Sequence, residues 1–123
     1  MNRVILIGNL TKDPELHTTT SGISVAKFTL AVSRRFKNAE GEREVDFINI
    51  VAWRELGENC HKYLTKGKKA AVSGSIQVRS YDAADGTKRY VTEILADEVE
   101  FLSPANQTQN NEMEEIDEDN LPF

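Results

Sequence analysis

Alternation of apolar and polar side chains with a period of two dominates three stretches of the chain, residues 24–35, 47–53 and 68–81. Each stretch has the pattern of a strand with one buried face and one solvent-exposed face. The predicted inward positions are Ala26, Phe28, Leu30, Val32, Ile48, Ile50, Ala52, Ala70, Val72, Ile76 and Val78. The sequence therefore predicts a body built mainly from amphipathic strands.

Two flanking strands depart from this pattern. The first, residues 3–10, contains four consecutive apolar residues, 4–7, so both of its faces are apolar. One parity is expected to fill the interior, and the other requires a partner surface. The last strand, from residue 88 to about 102, is interrupted by the acidic pair Asp97 and Glu98.

A single helix is predicted between the third and fourth strands. Leu56, Cys60, Tyr63 and Leu64 have the spacing of one apolar helix face, and Gly67 follows as a stop signal. Turns at 38–42 and 84–87 join strands as hairpins. Five strands with this one helix predict an all-β, five-stranded OB-fold barrel. An open α+β sheet is less favoured, because no second helix is available to cover it.

Charge divides the chain into two regions. All 15 Lys and Arg residues and 14 of the 20 Asp and Glu residues lie within residues 1–103, which gives this region a net charge of +1. The remaining six acids lie in the last dozen residues, which contain no base. We therefore predict a folded domain over residues 1–103 and a disordered linker with an acidic tip over residues 104–123.

Several classes of protein are excluded by composition. The one cysteine, Cys60, cannot form an internal disulfide, and no Cys/His cluster has metal-ligand spacing. The apolar run near the N-terminus is far too short to span a membrane and lacks a signal-peptide pattern. His17 and His61 have no catalytic arrangement around them in the sequence. We expect a cytoplasmic, non-enzymatic protein without metal or cofactor.

The aromatic residues fall into two groups. Phe28, Tyr63 and Phe101 are predicted to lie in the core, whereas Tyr90 is ambiguous. Four others are predicted to be exposed, because they share parity with polar residues or follow a basic pair: Phe36, Phe47, Trp53 and Tyr81. They are interspersed with Lys27, Arg34, Arg35, Lys37, Lys69, Arg79, Lys88 and Arg89.

Exposed aromatic rings beside basic side chains suit single-stranded nucleic acid. Unpaired bases stack on the rings while the cations contact phosphates, and neither interaction reads sequence. Bases in a duplex already stack on each other, which disfavours double strands. The net charge of +1 carries no such argument by itself.

Five segments together resemble the bacterial-type single-stranded DNA-binding proteins. They are MNRVILIGNL at 1–10 with DPE at 13–15, VDFINIVAW at 45–53, YLTKG at 63–67, VSGSI at 72–76 and DEDNLPF at 117–123. The resemblance implies an OB fold, a homotetramer around which DNA wraps, and base stacking on Phe36, Phe47, Trp53 and Tyr81. Unlike better-known members, this chain has one Trp and a short linker.

The acidic tip is predicted to be a docking peptide. Acids suit the basic rim of a pocket, and an aromatic residue next to a terminal carboxylate supplies an anchor. The resemblance implies that the tip recruits replication, recombination and repair proteins. The predicted partner-binding residues are Asp117, Glu118, Asp119, Leu121, Pro122 and Phe123.

Two other interpretations remain open at this stage. The domain could be an OB-fold protein-docking or sugar-binding module, or a primosomal module with weaker DNA binding. The sequence does not separate a cellular from a phage-encoded copy.

Overall fold

The computed structural model describes residues 1–102, which form one helix and six strands. The strands are β1 (Val4–Leu10), β2 (Glu15–Thr18), β3 (Ser24–Lys37), β4 (Arg43–Trp53), β5 (Lys69–Asp82) and β6 (Lys88–Phe101). Helix α1 (Arg54–Tyr63) connects β4 to β5.

The strands close into a barrel. Their order in the sheet is β1-β5-β6-β4-β3-β2. Because β1 also pairs with β3, the five strands β1, β5, β6, β4 and β3 form a closed ring. All pairings are antiparallel except that of β4 with β6. This closed five-stranded barrel with one helix confirms the OB-fold prediction and excludes the open sheet.

Strand β2 was not predicted. It has four residues, all exposed, and it pairs only with the beginning of β3. Since neither of its faces is buried, its sequence carries no apolar alternation. It lies outside the closed barrel, as an extra strand along β3.

The interior of the barrel is filled by the predicted inward residues and by the helix. Phe28, Leu30, Ile50 and Val72 are each at most 3% exposed, which confirms their predicted positions. Cys60, within the helix, and Leu64, just beyond its end, are also buried in this core. The helix therefore closes the barrel as its apolar spacing predicted.

The predictions of a core position for Tyr63 and Phe101 were wrong. The two residues are 48% and 39% exposed, and their ring centroids lie 5.8 Å apart. Tyr63 is the last residue of α1 and Phe101 the last of β6, so both lie where the barrel ends. They cover each other at the surface instead of filling the interior.

The inward prediction also failed for Ile76 and Val78, which are 44% and 61% exposed. Strand β1 pairs with β5 only as far as Gly74, and β4 pairs with β6 only over the three residues 49–51. Beyond Gly74, β5 therefore has only β6 beside it. Ile76 still lies opposite the buried Ile94, but at the rim of the barrel, and from Val78 onward β5 and β6 continue as a two-stranded ribbon. Correct parity therefore does not produce burial there.

The acidic interruption in the last strand corresponds to a β-bulge. Ser73 pairs with Glu98 and Gly74 with Ala96, which leaves Asp97 without a partner in the ladder. At Gly74 an added Cβ atom would lie 2.1 Å from the backbone oxygen of Leu95. This close approach of the two strands requires glycine.

Strand β1 has the two apolar faces that its sequence predicted. Val4 and Leu6 are half-buried and pack against the core. Ile5 and Ile7 point the other way and are 70% and 53% exposed. The isolated protomer thus leaves one apolar face of β1 uncovered.

Candidate nucleic-acid interface

The outer face of the barrel is continuous across four strands. Thr29 on β3 lies opposite Asn49 on β4, Asn49 opposite Glu93 on β6, and Glu93 opposite Gln77 on β5. Residues that pair directly across strands point to the same side of a sheet. This row therefore faces away from the core, while the next row, with Phe28, Ile50 and Ile94, fills it.

Three of the four predicted stacking residues share this outer face. Phe47 and Trp53 have the parity of Asn49 on β4, and Tyr81 has the parity of Gln77 on β5. Phe47 is 68% exposed, Trp53 42% and Tyr81 47%. Among the β4 residues predicted to face outward, Val51 is an exception, since it is 7% exposed.

Phe36 lies outside the regular part of the sheet. The register between β3 and β4 shifts between Ser33 and Lys37, and Phe36 lies within this irregular segment. Its ring is 77% exposed, and the Arg35 guanidinium carbon lies 5.3 Å from the ring centroid. This distance is within the range of a cation–π interaction.

A groove of about 270 Å³ lies on the outer face. Lys12, Lys27 and Arg79 contribute positive charge to its lining, and Glu15 and Glu93 contribute carboxylates. Within it the Thr29 hydroxyl donates a hydrogen bond of 3.1 Å to Asn49 Oδ1. The groove therefore lies on the same face as the rings on β4 and β5 and combines cationic with hydrogen-bonding groups.

Three of the predicted phosphate-binding cations are held by carboxylates. Arg79 donates from Nε and Nη2 to Glu93, Arg34 contacts Asp46 and Glu44, and Arg89 Nη2 lies 3.5 Å from Asp85 Oδ2. The hydrogen bond with Asp46 raises the pKa of Arg34, and the same bond lowers the pKa of Asp46. Likewise, the bond to Glu93 raises the pKa of Arg79. These arginines remain charged, but a phosphate would compete with their present partners.

The other cations are distributed unevenly. Lys27 lines the groove, Lys37 ends β3 opposite Arg43, and Lys88 begins β6 opposite Asp82. Lys69 lies at the far end of β5, twelve residues and therefore roughly 40 Å along the strand from Tyr81. The structure does not bring Lys69 to the groove.

Two features, one on this face and one directly after it in the chain, were missed by the sequence analysis. Lys12 reaches the groove from the segment between β1 and β2, where no alternation marks its direction. Arg54, directly after Trp53, has a left-handed backbone with φ of 60°, a conformation that non-glycine residues seldom adopt. At Arg54 the chain turns from β4 into the helix.

Residues 1–102, the part of the chain that the structure describes, also bear on metal binding and on membrane spanning. No group of three or more His, Cys, Asp and Glu side chains in this range is placed to hold a metal ion. None of its helices has the length and apolar character needed to cross a membrane. The six predicted partner-binding residues at 117–123 and the predicted domain boundary near Ser103 lie outside the described residues.

Known proteins share the sequence of this barrel. The family model of the single-strand binding protein family matches residues 1–102. A protein of Staphylococcus aureus strain MSSA476, named single-stranded DNA-binding protein 1, is 54% identical over 112 residues, which cover 91% of this chain and 72% of the relative.

Two other relatives extend the comparison. Single-stranded DNA-binding protein 2 of S. aureus strain COL is 48% identical over 138 aligned residues, which cover 100% of this chain and 99% of the relative. The single-stranded DNA-binding protein of Bacillus cereus is 58% identical over 106 residues, covering 86% of this chain and 62% of the relative. This is a family of DNA-binding proteins and not of enzymes, which confirms the non-enzymatic prediction. With its whole barrel matched by the family model, the chain belongs to the single-strand binding protein family.

Proposed function

We propose that the chain binds and protects single-stranded DNA, independently of sequence, during replication, recombination and repair. The observation that supports this most strongly is the placement of Phe47, Trp53 and Tyr81 on one outer face that also carries a cationic groove. The family to which the chain belongs and the names of its relatives support the same function.

Base stacking supplies the preference for single strands. A ring that is half exposed on a rigid strand can accept the face of any unpaired base, with a typical contribution of about 1–3 kcal/mol per base. Trp53 and Phe47 are separated by six residues along β4, or roughly 20 Å. That spacing leaves room for intervening nucleotides over the groove, and Phe36 extends the stacking surface beyond the end of the barrel.

Phosphate contacts are assigned to the exposed cations near these rings. Lys27 and Arg79 line the groove, and Arg35 and Lys37 lie at the end of β3. Lys88 and Arg89 lie at the beginning of β6, beside Tyr81. Together they form a path for the backbone from the end of β3 to the β5–β6 ribbon.

We also propose that the chain assembles as a homotetramer. The exposed Ile5 and Ile7 form an apolar face on β1, next to Ala71 and Ser73 of the paired strand β5. Exposed apolar faces of this kind mark interaction surfaces. A second copy of the chain would cover them and would bring several DNA-binding faces together for wrapping.

The acidic tip is proposed to recruit replication, recombination and repair proteins. Its acids suit a basic rim, and Phe123 combines an aromatic ring with the terminal carboxylate. These activities assign the protein to the cytoplasm, where it would associate with the nucleoid.

One titration tests the DNA-binding function. Trp53 is the only tryptophan, so its fluorescence reports directly on the proposed face. Saturable quenching by oligothymidine, with much weaker binding of a duplex of equal length, is the expected result. The dependence of affinity on salt then counts the phosphate contacts. An unchanged signal with both ligands would instead favour a protein-docking module.

A further inference from the structure

The β3–β4 arm, defined here as residues 33–45, contains an irregular segment that carries Phe36. Ser33 pairs with Val45 and Lys37 with Arg43. Three residues of β3, Arg34, Arg35 and Phe36, therefore lie opposite the single residue Glu44. A bulge of this kind leaves backbone groups without ladder partners.

The backbone carbonyls of this bulge are bound by a side chain from the opposite strand. Arg43 Nη1 donates a hydrogen bond of 3.2 Å to the backbone oxygen of Arg34. The same nitrogen donates to the backbone oxygen of Arg35. Arg43 therefore holds the two carbonyls that immediately precede Phe36.

The Arg34 side chain forms ion pairs with two carboxylates of β4. Its Nε and Nη2 atoms donate to Asp46 Oδ2 and Oδ1, each at 3.0 Å, in a forked arrangement. Its third nitrogen, Nη1, lies 3.0 Å from Glu44 Oε1. No guanidinium nitrogen of Arg34 is left without a carboxylate contact.

This ion-pair network lies on the side of the arm opposite to Phe47. Asp46 pairs with Val32, and Phe47 pairs with Ala31, so the side chains of Asp46 and Phe47 point to opposite faces. Arg34 therefore reaches away from the face that carries the β4 rings. A phosphate contact from this position would require Arg34 to leave both acids.

Phe36 itself has little support other than this framework. Phe36 is 77% exposed, and the Arg35 guanidinium carbon lies 5.3 Å from its ring centroid. An exposed ring on a loosely held loop must be ordered when a base stacks on it, and this entropy cost lowers affinity. Binding is stronger when the supporting residues hold the ring beforehand.

We propose that Arg34 and Arg43 are positioning residues that hold the bulge and thereby preorganise Phe36 for base stacking, and that Arg34 is not a phosphate ligand. This inference rests on the proposed function. It revises the role that the sequence pattern predicted for Arg34 and adds Arg43, which that pattern did not identify.

The replacement Arg34→Lys separates the two roles. Lysine retains the positive charge for a phosphate but cannot make the forked bond to a carboxylate. If Arg34 positions the bulge, R34K and R34M should both weaken oligothymidine binding about fivefold. This is the smallest loss of affinity expected when one base no longer stacks. For both variants, the slope of the logarithm of the binding constant against the logarithm of the salt concentration should equal that of the wild type. Lys27→Met is the matched control, and its slope should fall by about 0.7 if it removes one phosphate contact.

A double-mutant cycle with Phe36→Ala tests the link to the ring. In the F36A background, R34K and R43M should have no further effect on affinity, because the ring that they position is absent. Asp46→Asn provides an independent variant at the other end of the forked bond. D46N should weaken binding when compared with Glu42→Gln, which removes an acid from the same arm without removing a side-chain contact.

The results that would overturn the positioning role of Arg34 and Arg43 differ from the result that would reject DNA binding. Wild-type affinity for R34K combined with a reduced slope for R34M would overturn the positioning role, and so would losses that persist unchanged in the F36A background. Failure of the wild-type chain to bind oligothymidine would instead reject the proposed function. Far-UV circular dichroism and the melting temperature of each variant establish that the barrel is intact.

Discussion

Arg79 and Glu93 form a forked ion pair on the outer face of the barrel, with Nε and Nη2 of Arg79 lying 3.3 and 3.2 Å from the two carboxylate oxygens of Glu93. The Glu93 side chain is 16% exposed and lines the same groove as Lys27. A carboxylate thus lies within a surface that we propose binds a polyanion. It repels phosphates and also competes with them for Arg79.

Glu93→Gln should therefore bind single-stranded DNA more tightly. Removing one negative charge near a phosphate is worth on the order of 1 kcal/mol at a partly screened distance, or about fivefold in affinity. Release of Arg79 should also make the salt dependence steeper. Oligothymidine titrations by Trp53 fluorescence at several salt concentrations measure both effects. The control is Glu55→Gln, which removes an acid from helix α1 that does not line the groove and should bind as the wild type does. Equal or weaker binding by E93Q would contradict the role assigned to the pair.

The stacking role of Trp53 predicts a large loss when the ring is removed. Trp53→Ala should weaken binding by about 5- to 150-fold, which corresponds to one lost stack of 1–3 kcal/mol. Tyr63→Ala is a matched control, because Tyr63 is similarly exposed, at 48% against 42%, but lies at the end of the helix against Phe101. Electrophoretic mobility shift of a labelled oligomer measures both variants, since W53A has no tryptophan signal. Equal losses for the two variants would argue against a specific stacking site.

Predictions of exposed and buried side chains succeeded where an alternating strand lies within the closed barrel. Phe47 and Trp53 lie on β4, which pairs on both sides, so parity alone identified them as exposed. Parity failed for Ile76 and Val78, because burial also requires neighbouring strands on both sides, and beyond Gly74 β5 has only β6 beside it. The network around Arg34 was not predictable, since it depends on a register between β3 and β4 that includes two additional residues.

The exposed face of β1 predicts an assembly that depends on its apolar side chains. A double replacement of Ile5 and Ile7 by Glu should dissociate the proposed tetramer, because burying two unpaired charges in each interface costs several kcal/mol. Size-exclusion chromatography with light scattering at micromolar concentration measures the mass. Val78→Glu serves as the control, as it alters an equally exposed apolar side chain on the β5–β6 ribbon. A wild-type monomer, or a tetramer in the double variant, would contradict the prediction.

The acidic tip predicts a separation of two activities. Deletion of residues 121–123 should abolish binding of a replication or repair protein that the full chain captures. DNA affinity should be unchanged or slightly higher, because the six acids of the tail can compete for the cationic face. Surface plasmon resonance with immobilised oligothymidine measures DNA binding, with the partner added as a second analyte. Phe123→Ala, which retains the acids, should reproduce the loss of the partner. Loss of DNA binding in the deletion variant would be inconsistent with a docking tip.

Burial of Cys60 predicts a loss of stability in alkali. Cys60 is fully buried, and desolvation raises the pKa of its thiol from 9.0 to about 11. Above pH 9 the unfolded chain releases this proton while the folded chain keeps it, so the free energy of unfolding falls as the pH rises from about 9 to 11. At pH 10.5 the expected loss is roughly 1–2 kcal/mol relative to neutral pH.

Cys60→Ala isolates this effect from the titration of lysines and tyrosines. At pH 7.5 the variant should be less stable by about 1 kcal/mol, because a small buried group is removed. The difference from the wild type should shrink or change sign at pH 10.5, since alanine has no proton to release. Urea unfolding followed by Trp53 fluorescence at both pH values, with equal protein concentrations, measures the change. A difference that is the same at both pH values would mean that the thiol ionises equally readily in the folded and unfolded chains, and the raised pKa would then be wrong.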